Sequence, residues 1–503
     1  MFDLAILGSG FGGSLLAMAA RRLGLSVLLL ERGTHPRFAI GESSSPLANL
    51  LLEELGRRCD LPRLLPLASY GTWKRTYPEV GVGLKRGFTF YHHQAGHPFQ
   101  PQPERESELL VAASPNDDLA DTHWYRPDFD AFLMREAVGL GVEYLDRTEI
   151  RRVEPGAEQV RLEGERRGRP VTCEARLVVD ASGPRGALFR LLGLPEREIA
   201  RFPGTQSLFS HFTGVRRWET LVPPGPGTPP YHPDDAALHH VFDGGWIWML
   251  RFENGITSAG IAAEDRLAEE LGLAEGEPAW ERVLSRLPSV REQFAEAEAV
   301  EPFRFMPRIA WGCAPPAHPR LAMLPSALGF VDPLFSTGFP LTLLGIHRLL
   351  AGLERGELAA DRSDYYRLAE READAAAALV SGSYAAFPRF PAFAALSMFY
   401  FAAASYSEMA RRLDRGRLAS EFLLQNQPGF REGLLHARDR ARGGNPLRLE
   451  EVAARVEPWN VAGLCDPSKR SWYPADLADV VHGAAKLEVT ADDVHALIAR
   501  MGW

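Results

Sequence analysis

The stretch at residues 3–32, DLAILGSGFGGSLLAMAARRLGLSVLLLER, constrains the fold more than any other part of the chain. Residues 3–7 read as an apolar strand, a helix follows the glycines, and Val27–Leu30 reads as a second strand that ends at Glu31. Gly8, Gly10 and Gly13 occupy the three positions of G-x-G-x-x-G, where the backbone must turn tightly, admit a pyrophosphate and let a helix pack closely on a strand. The helix start offers unpaired N–H groups and a positive dipole end to phosphates. An acid about 20 residues further on, here Glu31, meets a ribose hydroxyl. Strand, turn, helix and acid together predict a dinucleotide site opening an α/β fold, with Phe11 and Arg32 beside the glycines and Glu31.

Bulk properties narrow the partners. The length of 503 residues allows two or three domains, and 46% hydrophobic with 24% charged residues is ordinary globular composition. A net charge of −9 argues against nucleic acid, which wants a basic face. Cys59, Cys173, Cys313 and Cys465 show no C-x-x-C spacing, so neither a disulfide framework nor a zinc site is expected, and a reducing cytoplasm fits. His92-His93 and His239-His240 lie on strand-like segments, where neighbouring side chains point to opposite faces, so no metal site is expected from them. Asp3 stands where a signal peptide would be basic, so export is not expected. The uncharged run at residues 390–407 contains Pro391, three serines and many alanines. It predicts a buried or substrate-lining helix rather than insertion into a membrane. Only four of the 56 basic residues are lysines: Lys74, Lys85, Lys469 and Lys486. In a chain that otherwise uses Arg, each is a candidate for chemistry that needs an amine able to give up its proton.

Along the chain, residues 40–46 form a loop leading into a helix at 47–58, and residues 83–91 end in an aromatic-rich strand. A helix is expected over 131–139 and strands over 151–163 and 171–180. The latter ends in Asp180-Ala181-Ser182-Gly183, a turn that can bring backbone to a cofactor. Residues 205–310 read as an antiparallel sheet carrying a flexible Pro/Gly cover at 223–233. From residue 321 the chain is mainly helical. The expected organisation is a nucleotide-binding unit over residues 1–375 with the sheet inserted at about 205–310, then a helical region over 376–503.

Four features together resemble the flavin-dependent halogenases, the two-component enzymes with the FAD-binding fold of the aromatic hydroxylases. They are Gly8 to Gly13 with Glu31; the loop Gly41-Glu42-Ser43; Lys85 in K-x-G-x-x-F; and Phe330-Val331-Asp332-Pro333-Leu334-Phe335-Ser336-Thr337-Gly338, which fits F-x-x-P-x-x-S-x-G. The resemblance spans residues 1 to about 350 and excludes the tryptophan-type subgroup, which carries Glu where this chain has Phe335. It implies non-covalent FAD on Gly8, Gly10, Phe11, Gly13, Glu31, Arg32, Glu42, Ser43, Arg126, Asp180, Gly183, Gly329 and Pro333. It implies chloride or bromide on Ser336, Thr337 and Gly338, and hypohalous acid passing through a tunnel to catalytic Lys85. Trp246, Trp248 and Phe335 would line the substrate side. A separate flavin reductase would supply reduced FAD, the chain having no tight NAD(P)H site of its own. The substrate would be a small electron-rich aromatic, phenol- or pyrrole-like, free or on a carrier protein. Two departures stand out: Leu250-Arg251 replaces Ile-Pro after the tryptophans, and Pro325-Ser326 replaces a Gly-Asp pair expected at the ribityl chain. A flavin monooxygenase acting on an apolar substrate is the alternative reading, and an inactive relative binding a lipid-like ligand near residues 390–406 a second.

Overall fold

The apolar run of the first strand has no polar alternation, as a strand covered on both faces requires. In the computed structural model, which describes residues 1–199, 202–222, 225 and 227–502, β1 (Phe2–Leu7) is buried from Leu4 onward and lies parallel to β2 (Val27–Leu30). Helix α1 (Phe11–Arg22) connects them. Helix α2 (Pro46–Arg58) follows, then strands β3 (Val82–Lys85), β4 (Gly87–His92), β5 (Glu108–Ala112) and β6 (Asp121–Trp124). Helix α3 (Arg126–Gly139) begins before the expected residue 131, because Pro127 sits in its first turn, where a missing N–H costs nothing. Next come β7 (Glu143–Leu145), β8 (Thr148–Pro155), β9 (Val160–Arg166) and β10 (Arg169–Asp180). The single strand expected over 151–163 is therefore a hairpin. Pro155-Gly156 breaks it, with Gly156 N–H bonded to Gln159 O at 2.8 Å.

The first sheet runs β7-β2-β1-β10-β9-β8. β10 serves two purposes along its length. Its first half pairs antiparallel with β9, and its second half pairs parallel with β1 and with a short strand at Leu321–Met323. The carboxyl ends of β1, β2 and β10 thus converge beside the glycine turn, where α/β sheets bind ligands.

In the second sheet β11 (Thr205–Thr213), β12 (Ala237–Phe242), β13 (Gly245–Arg251) and β14 (Thr257–Glu264) pair antiparallel, as expected for 205–310. The sheet does not stop there. β12 pairs parallel with β4, β4 antiparallel with β5, and β5 parallel with Trp472–Tyr473, so segments from both ends of the sequence extend it. Its two faces serve different cores. Trp246, Trp248 and Leu250 of β13 join the main core, whereas Ile247 and Met249 face a second one built with Trp218 and Trp280. Of the expected cover at 223–233, residues 223, 224 and 226 lie outside the described residues.

Helices α4 (Gly338–Glu354), α5 (Ser363–Ala386) and α6 (Phe390–Arg412) pack into the same core as β1 and α1. The uncharged run of residues 390–407 is buried within α6. Among the described residues one helix, Leu334–Glu354, is long and apolar enough to cross a membrane, and 67% of its apolar window is buried in the protein.

Candidate functional site

A cavity of about 820 Å³ opens at the carboxyl ends of β1 and β2. Gly8, Gly10, Phe11, Glu31, Arg32, Arg126 and Gly183 line it, and so do Trp248, Gly329, Pro333, Thr337 and Gly338. The glycines of the fingerprint act differently. Gly8 has φ +100°, and a Cβ on Gly13 would lie 1.9 Å from Gly8 O, so both are required for the turn and for α1 to cross β1. Gly10 has φ −65°, and a Cβ there would meet only ordinary contacts, the Arg126 and Arg37 guanidinium groups at 3.5 and 3.6 Å. What Gly10 leaves open is the cavity itself.

These residues fit FAD. The start of α1 carries no side-chain cap and no acid, and two guanidinium groups stand over it. Arg126 is fixed by Asp130 at 2.7 and 2.8 Å and by Gly41 O at 2.9 Å. Arg37 lines the cavity, pairs with Glu31 Oε2 at 3.4 Å and keeps a buried Nε without a hydrogen-bond partner. Nothing around Arg37 in the sequence marks it, and it was missed. Glu31 accepts hydrogen bonds from Ser9 N–H at 3.1 Å and Gly33 N–H at 2.7 Å. Burial raises its pKa, but the Arg37 charge and these donors outweigh that and hold it below the ordinary value.

Three expected cofactor ligands have other partners. Asp180 Oδ1 accepts from Ser182 N–H (2.9 Å) and Oδ2 from Leu188 N–H (2.7 Å), so the carboxylate braces the turn at Gly183 from behind. Glu42 is captured by His211 Nε2, 3.1 Å from both carboxylate oxygens. Ser43 bridges to His123 on β6 and accepts a hydrogen bond from Lys85. Only Gly41 of that loop lines the cavity, and the loop carries the chain from the cavity to the lysine.

The turn before α4 forms the cavity's other wall. Phe335 and Ser336 both hold left-handed backbone, φ +65° and +56°. Asp332 fixes the turn: Oδ1 accepts from Leu334 N–H at 3.0 Å and Oδ2 from Tyr384 O–H at 3.0 Å, while Trp246 Nε1–H donates to the Tyr384 oxygen at 3.1 Å. Burial pushes the Asp332 carboxyl up to about 7. Thr337 is the N-cap of α4 with no side-chain cap, so the backbone N–H groups of Thr337, Gly338 and Phe339 are those a helix leaves unpaired. With Thr337 and Gly338 in the cavity wall, these donors can hold a small anion. Trp248 faces the cavity and Trp246 stands one residue pair behind it. Arg251, the departure after them, lies on the opposite face of β13, bonded to Asp234 Oδ1 (3.0 Å) and Val215 O (2.9 Å), away from the cavity. Ser326, the other departure, lines it.

Lys85 ends β3 with its side chain fully buried. Gly87 permits this: a Cβ there would lie 2.0 Å from Val111 O, so only glycine lets the chain pass from the β3–β6 ribbon into β4. Lys85 Nζ donates to Ser43 Oγ at 2.9 Å, Ser44 O, and Ser336 Oγ at 3.4 Å, and lies 3.9 Å from the Phe88 ring centre. Burial lowers its pKa well below that of an ordinary amine, against the opposing charge of Asp121. The turn therefore has the large cavity on one side, at Thr337 and Gly338, and the amine on the other, at Ser336. Phe335 is buried beside Tyr400, ring centres 4.9 Å apart. Phe88 and Tyr400 also wall a second, largely apolar cavity of about 90 Å³ with Val111, Phe401 and Met409.

The family model described as FAD dependent oxidoreductase matches residues 3–324. The chain is 28% identical over 403 residues to the monodechloroaminopyrrolnitrin halogenase PrnC of Pseudomonas fluorescens, covering 77% of this chain and 69% of that one. It is 30% identical over 403 residues to the tetracycline 7-halogenase of Kitasatospora aureofaciens, covering 78% and 71%. Among solved structures, halogenase PltM in complex with phloroglucinol and FAD superposes with a TM-score of 0.82 at 24% identity over 93% of this chain and 99% of that one, a shared fold. The expected mixed α/β architecture with a helical C-terminal region is the one found.

Two measurements follow from the geometry. Gly10→Val should leave the thermal midpoint nearly unchanged yet weaken FAD binding about 100-fold or more, whereas Gly13→Ala should destabilise the fold by roughly 1–3 kcal/mol or prevent folding. Thermal melts and flavin fluorescence titration separate the two, and unchanged FAD affinity in folded Gly10→Val would sink the assignment. For Asp332, the folded carboxyl keeps its proton up to about 7, whereas the unfolded one releases it near its ordinary value of 3.8. Its contribution to stability is complete below that ordinary value and is lost as pH rises towards 7, by at most roughly 4 kcal/mol. Asp332→Asn, which still accepts from Leu334 N–H, should flatten the fall in unfolding free energy between about pH 4 and pH 7. Urea unfolding of both proteins across that window tests this, and parallel slopes would contradict it.

Proposed function

Because the chain belongs to the flavin-dependent halogenases, we propose that it installs chloride or bromide on a small phenol- or pyrrole-like ring through hypohalous acid handled by Lys85. The observation that carries the reading is the turn shared by both sites, with Thr337 and Gly338 in the cavity wall and Ser336 Oγ 3.4 Å from Lys85 Nζ. Reduced FAD, when bound, would supply two of the four electrons that O2 takes up, the halide giving the other two as it becomes hypohalous acid. Arg37, Arg126 and the start of α1 hold its phosphates, and the N–H groups of Thr337 and Gly338 hold the halide beside it. Trp248, in the cavity wall, keeps the organic substrate away from the flavin.

Lys85 is suited to the second half of the reaction. As an ammonium it donates a hydrogen bond to the oxygen of hypohalous acid, which makes that oxygen the better leaving group. As a free amine, accessible because burial lowers its pKa, it can take the halogen on nitrogen. Phe335 offers no carboxylate to activate a sluggish ring, so the substrate itself must be electron-rich. A flavin reductase acts in trans, since the sequence carries a single complete dinucleotide fingerprint.

The test is mass spectrometry of phenols and pyrroles incubated with the protein, FAD, a flavin reductase, NADH and bromide. Wild type should give brominated product. Lys85→Ala should lose about 100-fold or more of it while oxidising reduced FAD at an unchanged rate. Lys85→Arg should fail nearly as badly if nitrogen carries the halogen, and only partly if a hydrogen bond suffices. Hydroxylated product alone with bromide present, or full activity in Lys85→Ala, would overturn the proposal in favour of a monooxygenase.

A further inference from the structure

Lys85 and Asp121 are register partners on β3 and β6, so their side chains leave the same face of the ribbon side by side. Both are buried, Lys85 completely and Asp121 to all but 6%. They do not close into a direct ion pair. All three N–H donors of Lys85 Nζ go to Ser43, Ser44 and Ser336. Asp121 Oδ1 accepts from Asn49 Nδ2–H at 3.1 Å, and Oδ2 is buried without a hydrogen-bond partner. A buried carboxylate oxygen with nothing on it is costly to keep, and folds retain such groups mostly where they act.

The surrounding groups leave this carboxylate as the amine's counter-charge. His123 lies two residues along β6, and His239 reaches in from β12; burial holds both imidazoles neutral. From α6 come Tyr400, whose hydroxyl burial keeps un-ionised, and Glu408, which is satisfied by Arg412 Nε–H at 2.9 Å. Arg412 also reaches Glu53 at 3.4 Å.

We propose that Asp121 is a positioning residue that governs the proton on Lys85 Nζ, keeping the amine charged while it is itself ionised and releasing it when Asp121 takes up a proton. This rests on the role given to Lys85 above. Burial disfavours the charged form of each group, raising Asp121 and lowering Lys85, while each charge favours the other. The charged pair and the neutral pair are thereby brought close in free energy. In the halogen transfer, the C–X bond forms as the X–O bond of hypohalous acid breaks. The oxygen leaves as hydroxide and becomes water with the Lys85 proton. The ring then loses its own proton, one proton returns to the pair, and HOX and the arene have become the haloarene and water. Asp121 makes the amine basic enough to be reloaded.

The scarcity of lysine makes this directly measurable. With four lysines in the chain, Cε-labelled lysine gives four signals in a heteronuclear NMR spectrum, and Lys85→Arg identifies the one from Lys85. In the full-length protein, Asp121→Asn should lower the midpoint of the Lys85 titration by about one pH unit or more, a tenfold loss of proton affinity. The alkaline limb of the kcat/KM profile, where the Lys85 proton is lost, should move the same way, and Asp121→Glu should restore both. Asn49→Leu removes the donor that favours the ionised carboxylate, so it should shift the midpoint in the same direction by less, and it serves if Asp121→Asn does not fold. A Lys85 midpoint that stays put in a folded Asp121→Asn or Asn49→Leu protein overturns the inference. A midpoint that moves in a protein that makes no halogenated product instead removes Lys85 from catalysis and leaves the pair standing.

Discussion

Two consecutive residues other than glycine, Phe335 and Ser336, hold left-handed backbone in the turn before α4, and the site is arranged around that turn. Such backbone costs about 1–3 kcal/mol per residue and persists only where the surroundings over-determine it. Here they do. Asp332 ties the turn to Leu334 N–H and to Tyr384, Trp246 ties Tyr384 to the second sheet, and the Phe335 ring is buried against Tyr400. The strain has a result: Ser336 faces the lysine, while Thr337 and Gly338 open α4 towards the large cavity.

The same segments explain why one chain needs both sheets. β1, β2 and β10 bring their carboxyl ends to the cavity, and β13 contributes Trp248 to its wall and Trp246 to the brace. The ribbon of β3 and β6 hangs Lys85 between them, within reach of the turn. Asp332, Lys85 and Asp121 are buried ionisable groups whose neutral forms burial favours, an arrangement that stability alone gives no reason to keep.

How much of this could be read in the sequence depended on whether the constraint was local. The glycine fingerprint was legible because its constraints are local: Gly8 needs its own φ of +100°, and Gly13 must clear the carbonyl of Gly8 in the same turn. Lys85 stood out because the chain otherwise uses arginine. Gly87 in its motif has a steric reason too, its contact with Val111 O. Arg37, Asp121, Asn49 and Tyr384 were invisible, since each acquires its role from a segment far away in sequence. The side-chain partners of three residues expected at the cofactor were hidden for the same reason. Asp180, Glu42 and Ser43 sit beside cavity-lining glycines, but tertiary partners, Leu188, His211 and Lys85, claim their side chains. The strand at 151–163 was a local misreading: Pro155-Gly156 was a turn signal within a polar stretch that otherwise looked continuous.

The central claim is that the N–H groups of Thr337 and Gly338 seat the halide between the flavin cavity and Lys85. Anomalous diffraction at the bromine edge, from crystals of the protein grown with FAD and bromide, tests it most directly. The account predicts a bromide peak within hydrogen-bonding reach of those two backbone nitrogens, on the cavity side of Ser336. Bromide bound elsewhere beside the flavin, with none at the turn, would contradict it.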